Sequence, residues 1–186
     1  MGQTPTTGKS GLSLLEILMV VGILAIVSSA AVPYAEITFI RGKESELQSN
    51  LTTIRSAIQR WHDDCAAQLV AKSPTGYPGG GRQAWLDLQD CFLYPADLSY
   101  LTLASNTYVQ GKHQNGVTPI NFTFSHPAFL REVPVDPFVG YATWTPLVAT
   151  AVGSPFAGII DVSPVADPTT RRGFTDAIDG TKYQDW

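Results

Sequence analysis

One uncharged stretch of 19 residues, 17–35, constrains this chain more than any other feature of its sequence. Leucine, isoleucine, valine and alanine dominate the stretch, and roughly 20 apolar residues in a helix suffice to cross a lipid bilayer. A single carboxylate, Glu16, stands directly before it, where a charge is costly unless a cation pairs with it. The sequence therefore predicts a membrane-spanning helix in which Glu16 needs a partner.

The uncharged stretch is too long for a cleaved secretory signal, whose apolar part covers about 7 to 15 residues. Lys9 is the only charged residue before Glu16, and a positive residue there favours an amino end that stays in the cytoplasm. An ordinary signal anchor with an isolated acidic residue near its end is one interpretation of this pattern. The spacing of Gly11 and Glu16 favours a different interpretation of the same residues.

The residues around Glu16 resemble the start of type IV pilins and of the pseudopilins of type II secretion systems. In that family, prepilin peptidase cuts after a leader glycine, the new amino terminus is methylated, and the fifth residue of the mature chain is glutamate. The match falls on Gly11, Leu12 and Glu16, although phenylalanine is commoner at the position of Leu12. The resemblance implies that Glu16 pairs with the amino terminus of Leu12 in a neighbouring subunit, an amine whose pKa in water is about 7.7 to 8.0.

A second apolar pattern follows the predicted span. Apolar residues recur at intervals of three and four, which marks one face of a helix, at Leu47, Leu51, Ile54, Ile58, Trp61, Cys65 and Leu69. We therefore predict one helix from Leu14 to Val70. Pro33 removes a hydrogen bond inside it and should bend or loosen it. Either this is a simple kink or, as the resemblance implies, Pro33 takes part in assembly.

Proline and glycine mark a loop after Ala71. Beyond it we predict a short helix over 83–91 and short strands over 98–109 and 119–124. The predicted fold class is α+β: a pilin-like fold, with the long helix packed on a small antiparallel β-sheet. The expected divisions are a leader peptide (1–11), a transmembrane and filament-core helix (12–35), its amphipathic continuation (36–71), and a globular β-rich head with a carboxy-terminal loop (72–186).

The middle of the chain also resembles the major, G-type pseudopilins. There a proline, an aspartate–proline pair, an aromatic residue and a glycine precede a strand, as Pro134, Asp136, Pro137, Phe138 and Gly140 do here. Major pseudopilins commonly bind calcium in the carboxy-terminal loop. Oxygen ligands of the kind calcium prefers are supplied here by Asp161, Ser163, Asp167, Asp176 and Asp179. Alternatively, Asp179-Gly180 forms a turn and the other acids are solvated or pair with Arg171 and Arg172.

Two cysteines, Cys65 and Cys91, would lie in the oxidising periplasm if the head is exported. A disulfide between them would join the end of the long helix to the region beyond the following loop. In the chain-entropy model such a bridge stabilises by roughly 3 kcal/mol. Two unpaired buried thiols are the alternative.

Composition and motif content exclude other functions. The chain has 12 basic and 16 acidic residues, for a formal net charge of −4, and no basic stripe that would neutralise phosphates, so we expect no nucleic-acid partner. His62, His113 and His126 are scattered, and no nucleophile motif accompanies them, so we expect no enzyme activity. Acting as a substrate of processing enzymes fits the sequence better.

The resemblance implies a structural subunit of a type II secretion pseudopilus that helps export folded proteins. The subunit would be a single-pass protein of the bacterial inner membrane, with its amino end in the cytoplasm and its head in the periplasm. Expected partners are prepilin peptidase, membrane lipid before assembly, the inner-membrane assembly platform, minor pseudopilins and further copies of the chain. The alternatives are a type IV pilin for adhesion or motility, a minor pseudopilin, and a membrane-anchored binding module.

Overall fold

The protein has an α+β fold, described here from a computed structural model that covers residues 13–72, 74, 77–171 and 173–186. The side chains of residues 30–33 lie outside this description. Within the described residues there are two α-helices and four strands, namely α1 Leu14–Lys72, α2 Gly80–Asp87, β1 Ser105–Lys112, β2 Pro119–His126, β3 Trp144–Thr150 and β4 Ala157–Pro164. Short 3-10 helices cover Asp90–Leu93, Leu98–Thr102 and Tyr183–Asp185.

The predicted long helix is confirmed. Helix α1 runs for 59 residues, and Pro33 lies within it without ending it. The chain divides into two compact units, Met1–Gly42 and Lys43–Trp186. The amphipathic half of α1 therefore belongs to the same unit as the strands. From here on, the head means this second unit, Lys43–Trp186, which is larger than the head predicted from sequence.

The core of the head forms where α1 meets the first hairpin. All seven apolar residues of the predicted helix face are buried, from Leu47 to Leu69. Strand β2 alternates exposed and buried residues along its length, as a strand with one face on a core does. Trp61 of α1 contacts Phe124 of β2 edge-on at 5.0 Å and His126 at 4.1 Å between ring centroids. These aromatic contacts join the helix to the sheet.

The strands form two separate antiparallel hairpins, β1–β2 and β3–β4, where one small sheet was predicted. The chain between α2 and β1 explains the separation. Its 3-10 helix Asp90–Leu93 contacts both β4 and β1, and Pro95 accepts a hydrogen bond from the Ile159 backbone of β4 at 2.8 Å. A Cβ atom at Gly158 would lie 2.2 Å from the Cys91 carbonyl oxygen, so this close approach requires glycine.

Two of the predicted element boundaries were wrong. The predicted strand over 98–109 is a 3-10 helix, Leu98–Thr102, followed by β1. The Asp97 carboxylate accepts the Ser99 N–H at 2.8 Å and begins that helical turn. The predicted helix over 83–91 is α2 followed by a separate 3-10 helix, because Leu88 between them is extended and bridges to His113.

Candidate functional site

The first half of α1 presents apolar side chains on all sides. Its large apolar side chains between Leu14 and Val27 are each 49% to 76% exposed. Among the described residues, α1 is the one helix long and apolar enough to cross a membrane, with a mean hydropathy of 2.4 over 18 residues and none of that window buried. A helix that is apolar all round is stable when protein or lipid surrounds it.

Glu16 lies in the first turn of α1 with its side chain exposed. The turn begins at Ser13, whose carbonyl oxygen accepts the Glu16 N–H at 3.0 Å and the Ile17 N–H at 3.2 Å. A carboxylate in the first turn interacts favourably with the positive end of the helix dipole. Residues 13–40 contain no lysine or arginine, so the full cation that Glu16 requires does not come from this part of its own helix.

The apolar stretch 17–35 also satisfies a hydroxyl group internally. Ser29 donates to the Ile26 carbonyl oxygen at 2.7 Å. Inside a bilayer, where no water is present, such a bond to the preceding turn of the helix satisfies a hydroxyl group. The predicted cleavage residues Gly11 and Leu12 lie outside the described residues, as does the side chain of Pro33. Their roles in processing and assembly remain predictions.

The carboxy-terminal segment is held against the head part of α1 by Glu44. The Glu44 carboxylate accepts the Ile178 N–H at 2.8 Å and the Tyr183 hydroxyl at 2.9 Å. Tyr183 is buried, and burial together with the bond to Glu44 raises the pKa of its hydroxyl group. The phenol therefore remains a protonated donor at physiological pH.

Replacing Glu44 with leucine should destabilise the head by about 1 to 3 kcal/mol, because the buried Tyr183 hydroxyl would lose its acceptor. The amide of Ile178 should also exchange its hydrogen faster. Glu46→Leu is the matched control, since Glu46 is an exposed glutamate on the same helix. Urea unfolding and hydrogen exchange measure both effects, and equal behaviour of the two variants would contradict the contact's importance.

Arg55 makes a second contact between α1 and the end of the chain. Its guanidinium donates to the Asp161 carboxylate at 2.7 Å, to the Val162 carbonyl oxygen at 3.0 Å and to the backbone oxygen of Trp186. The Arg55 and Asp161 side chains are 37% and 42% exposed, so solvent screening leaves this pair a modest contribution. Its geometry fixes where β4 and the terminal residue lie on the helix.

A buried ion pair joins the two loops flanking the second hairpin. Arg171 donates to the Asp136 carboxylate, and the two side chains are 1% and 0% exposed. The other Asp136 oxygen accepts the Phe138 N–H at 2.8 Å. The guanidinium also lies 5.2 Å from the Phe138 ring centre and 4.8 Å from that of Tyr183, within the range of cation–π attraction. The aspartate–proline motif thus anchors the carboxy-terminal loop.

The predicted calcium ligands have other partners in this structure. Asp161 pairs with Arg55, Asp167 accepts hydrogen bonds from Thr169 and Thr170, and Asp179 accepts from Thr181. Those threonine bonds lower the pKa values of the Asp167 and Asp179 carboxyl groups. No group of three or more His, Cys, Asp or Glu side chains placed to hold a metal occurs among the described residues.

Ser163 lies in β4 opposite Thr145. Asp176 is exposed, and its backbone forms an isolated antiparallel β-bridge with that of Lys182. Two of the five residues therefore lie in β4, two bond to threonines within their own turns, and Asp176 lies in a separate β-bridge. The alternative expectation, a turn at Asp179-Gly180, agrees with the Asp179–Thr181 bonds and with the positive φ of Gly180. Calcium binding stays a prediction.

Cys65 and Cys91 are both buried free thiols, which is the alternative to the predicted disulfide. Burial raises the pKa of Cys65 to about 12. Burial, followed by the nearby Asp90 charge, raises the pKa of Cys91. Since the thiolate is the reactive form, both side chains should be inert in the folded head.

Alkylation should therefore distinguish folded from unfolded chain. At pH 8 a thiol with a pKa of about 12 is ionised in roughly one molecule in ten thousand, against about a quarter for an ordinary thiol of pKa about 8.5. We expect iodoacetamide to modify the folded chain at least about a hundredfold more slowly, and to add two groups after unfolding without reductant. Failure to label the unfolded chain without reductant would reveal a disulfide instead.

No protein-family model, curated protein or solved structure matches this chain. Its architecture is therefore defined by its own elements, namely a long amino-terminal helix and two small antiparallel sheets. The feature that bears most directly on function is the exposed apolar half of α1, with Glu16 in its first turn.

Sequence reasoning missed the residues that hold the head together. Glu44 and Arg55 are charged residues on an amphipathic helix, a pattern that more often indicates a solvated face. Asp136 was noted only as part of the motif that precedes a strand in major pseudopilins, and Arg171 only as a partner for nearby acids. Other charged residues lie close to both, Glu132 near Asp136 and Arg172 beside Arg171, so no local signal in the sequence identifies a pair that joins positions 35 residues apart.

Proposed function

We propose that this chain is a structural subunit of a type II secretion pseudopilus, without enzyme activity of its own. Prepilin peptidase would cut between Gly11 and Leu12, and the amino terminus of Leu12 would be methylated. The mature subunit would reside in the inner membrane, with its head in the periplasm, until the assembly platform adds it to a filament. The exposed apolar helix with a carboxylate in its first turn is the observation that supports this most strongly.

The same helix suits two environments in succession. Lipid surrounds its apolar side chains before assembly, and neighbouring helices would surround them in the filament core. Exchanging lipid for protein yields little hydrophobic free energy, because lipid tails are as apolar as leucine. Packing and polar contacts must therefore select the assembled state.

Glu16 supplies the polar contact. Its own helix has no basic residue between 13 and 40, whereas the amino group released at Leu12 is a cation at neutral pH. A carboxylate and an amine four residues apart in sequence, but on successive subunits, would pair within an apolar surrounding that strengthens their attraction. Because the two groups belong to different surfaces, the contact is heterologous and can repeat from subunit to subunit. It produces an open helical filament where the rotation between successive subunits does not close into a ring.

Reconstitution of the secretion machinery tests the proposal. We expect the full chain, co-expressed with prepilin peptidase, an assembly platform and minor pseudopilins, to appear in sheared filaments and to support export of a folded cargo. Long surface fibres without export would indicate a type IV pilin instead. A cleaved chain that stays in the membrane as single copies would contradict assembly altogether.

A further inference from the structure

An open groove in the head runs beside β1. It encloses about 580 Å³, and consecutive residues from Thr107 to Lys112 line one of its sides, together with Pro119 and Asn121 of the paired strand β2. Successive residues of a strand point to opposite faces, so a groove lined by consecutive residues of β1 reaches the edge of that strand. Aromatic side chains line much of the rest, with Trp61 and Phe92 buried in its depth and Tyr94, Tyr100 and Phe156 nearer the surface. Ala96, Ser154 and Pro155 complete the lining.

The hydrogen-bond pattern shows which peptide groups point into this groove. His113 donates its N–H to Thr118 on the β2 side, while the Lys112 carbonyl oxygen accepts from Gln89 on the opposite side. Antiparallel strands alternate between residues that face their partner and residues that face away. From the register Tyr108↔Thr123 and Gln110↔Asn121, the N–H and C=O groups of Tyr108 and Gln110 face away from β2, along the groove.

Within the part of the chain that the structure describes, no protein group bonds to these four backbone groups. Two of the other three hairpin edges, those of β2 and β3, are protected from strand pairing. At the β2 edge, Gln68 of α1 bonds to the backbone N–H of Ser125 at 3.2 Å. Strand β3 carries Pro146 and a bulge between Leu147 and Val148, features that discourage pairing with another chain. Strand β1 has neither proline nor bulge.

We propose that this groove binds an extended polypeptide segment, which adds to the β1–β2 hairpin as a third strand. Addition of a strand to a free edge supplies backbone hydrogen bonds, and pockets for alternate side chains supply specificity. Tyr108 and Gln110 would give the backbone bonds, and the aromatic side chains would receive every second side chain of the segment. The site lies wholly within the head and is independent of assembly through α1.

The charge of the groove defines the segment further. Lys112 is the only charged residue among those that line the groove, and it stands at the end of the open edge, where Gln89 begins to cover β1. Its ammonium group bonds to the Gly153 carbonyl oxygen, a neutral acceptor. The groove therefore favours an acidic side chain at that end, which in an antiparallel arrangement is the amino end of the segment.

A labelled peptide tests the proposal with the full chain in detergent micelles. The probe is acetyl-Asp-Thr-Val-Thr-Phe-Thr-Val-Lys-amide with fluorescein on the lysine amine, and its anisotropy with empty micelles is subtracted. Two analogues carry N-methyl groups on alternate residues, one analogue for each set. Since only one set of amides can face β1, we expect one analogue to bind at least tenfold more weakly while the other binds like the probe.

Two variants of the head give a second readout. Tyr108→Pro removes an N–H that faces the groove without removing a bond to β2, whereas Tyr108→Val keeps the N–H and shortens the side chain. We expect about a tenfold loss of probe affinity for the proline variant beyond any loss for the valine variant. If the proline variant does not fold, the two N-methyl analogues still decide the question on the unaltered protein.

Three results would overturn the proposal. The first is no binding of the probe above the empty-micelle signal. The second is equal binding of the probe and both N-methyl analogues, which would mean apolar adsorption without strand pairing. The third is displacement of the probe by a chito-oligosaccharide together with equal binding of the analogues, since aromatic side chains with amide neighbours also suit sugar rings.

Discussion

Glu16→Gln should reduce filament assembly by at least about a hundredfold while leaving membrane insertion and the head intact. Glutamine has nearly the same shape as glutamate but cannot neutralise the amino group of a neighbouring subunit. Removing one partner of a buried ion pair costs about 3 to 5 kcal/mol, and each 1.4 kcal/mol is a factor of about ten in an equilibrium constant. The quantity measured is the sheared filament fraction relative to the membrane fraction.

Glu36→Gln is the matched control for this experiment. Glu36 is an exposed glutamate on the same helix, beyond the uncharged stretch, so the same chemical change is made outside the first turn. We expect its filament yield to stay within about threefold of the parent chain, as for a surface charge. Equal losses for the two variants, or normal assembly of Glu16→Gln, would show that Glu16 has no specific partner.

Asp136→Asn should destabilise the head by about 3 to 5 kcal/mol, the range found when one member of a buried ion pair is removed. Arg171 would remain buried with its charge uncompensated, and one of its terminal nitrogens already has no hydrogen-bond partner among the described atoms. Urea unfolding followed by tryptophan fluorescence measures the change, because Trp61 and Trp144 are buried in the head.

The double variant Asp136→Leu with Arg171→Met separates the charge from the packing. Replacing both partners by apolar residues is often nearly neutral, since neither charge then has to be buried. We expect the double variant to recover more than half of the loss, whereas Asp64→Asn, at an exposed position on α1, should change stability by less than about 0.5 kcal/mol. A double variant as unstable as the single one would show that the loops need this pair for their shape.

The long helix was predictable because its signals are local. The apolar intervals of three and four from Leu47 to Leu69 record directly which face is buried, and all of those residues are buried. The uncharged stretch before them identifies a segment that cannot stay in water alone. Strand β2 was predictable for the same reason, since exposed and buried residues alternate along it.

The hairpins were harder to predict because their boundaries depend on contacts distant in sequence. Leu98 to Thr102 has the composition of a strand, yet the Asp97 cap turns it into a 3-10 helix. Strand β3 contains Pro146 and exposes most of its side chains, so it lacks the alternating pattern of a half-buried strand. The division into two sheets arises from Asp90–Leu93, of which only the first two residues were predicted as part of a helix.

The candidate sites also differ in whether local sequence signals identify them. Glu16 could be singled out from sequence because one charge beside an uncharged stretch is conspicuous. The Asp136–Arg171 pair and the free edge of β1 could not, because each depends on which elements the folded head brings together. The carboxylates of the carboxy-terminal loop show the opposite error, in which residues close in sequence were predicted to share one calcium ion. In the structure each of three of them has its own partner: Asp161 pairs with Arg55, Asp167 with Thr170 and Asp179 with Thr181.

The intact mass and amino-terminal sequence of the chain recovered from membranes test the central claim most directly. With prepilin peptidase co-expressed, we predict a chain that begins at methylated Leu12, and without the peptidase a chain that retains Gly11 and the residues before it. The variant Gly11→Asp places a charged side chain at the predicted cleavage position. It should remain uncut both with and without co-expressed prepilin peptidase. An uncut parent chain in the presence of active peptidase would contradict the account and leave an ordinary signal anchor.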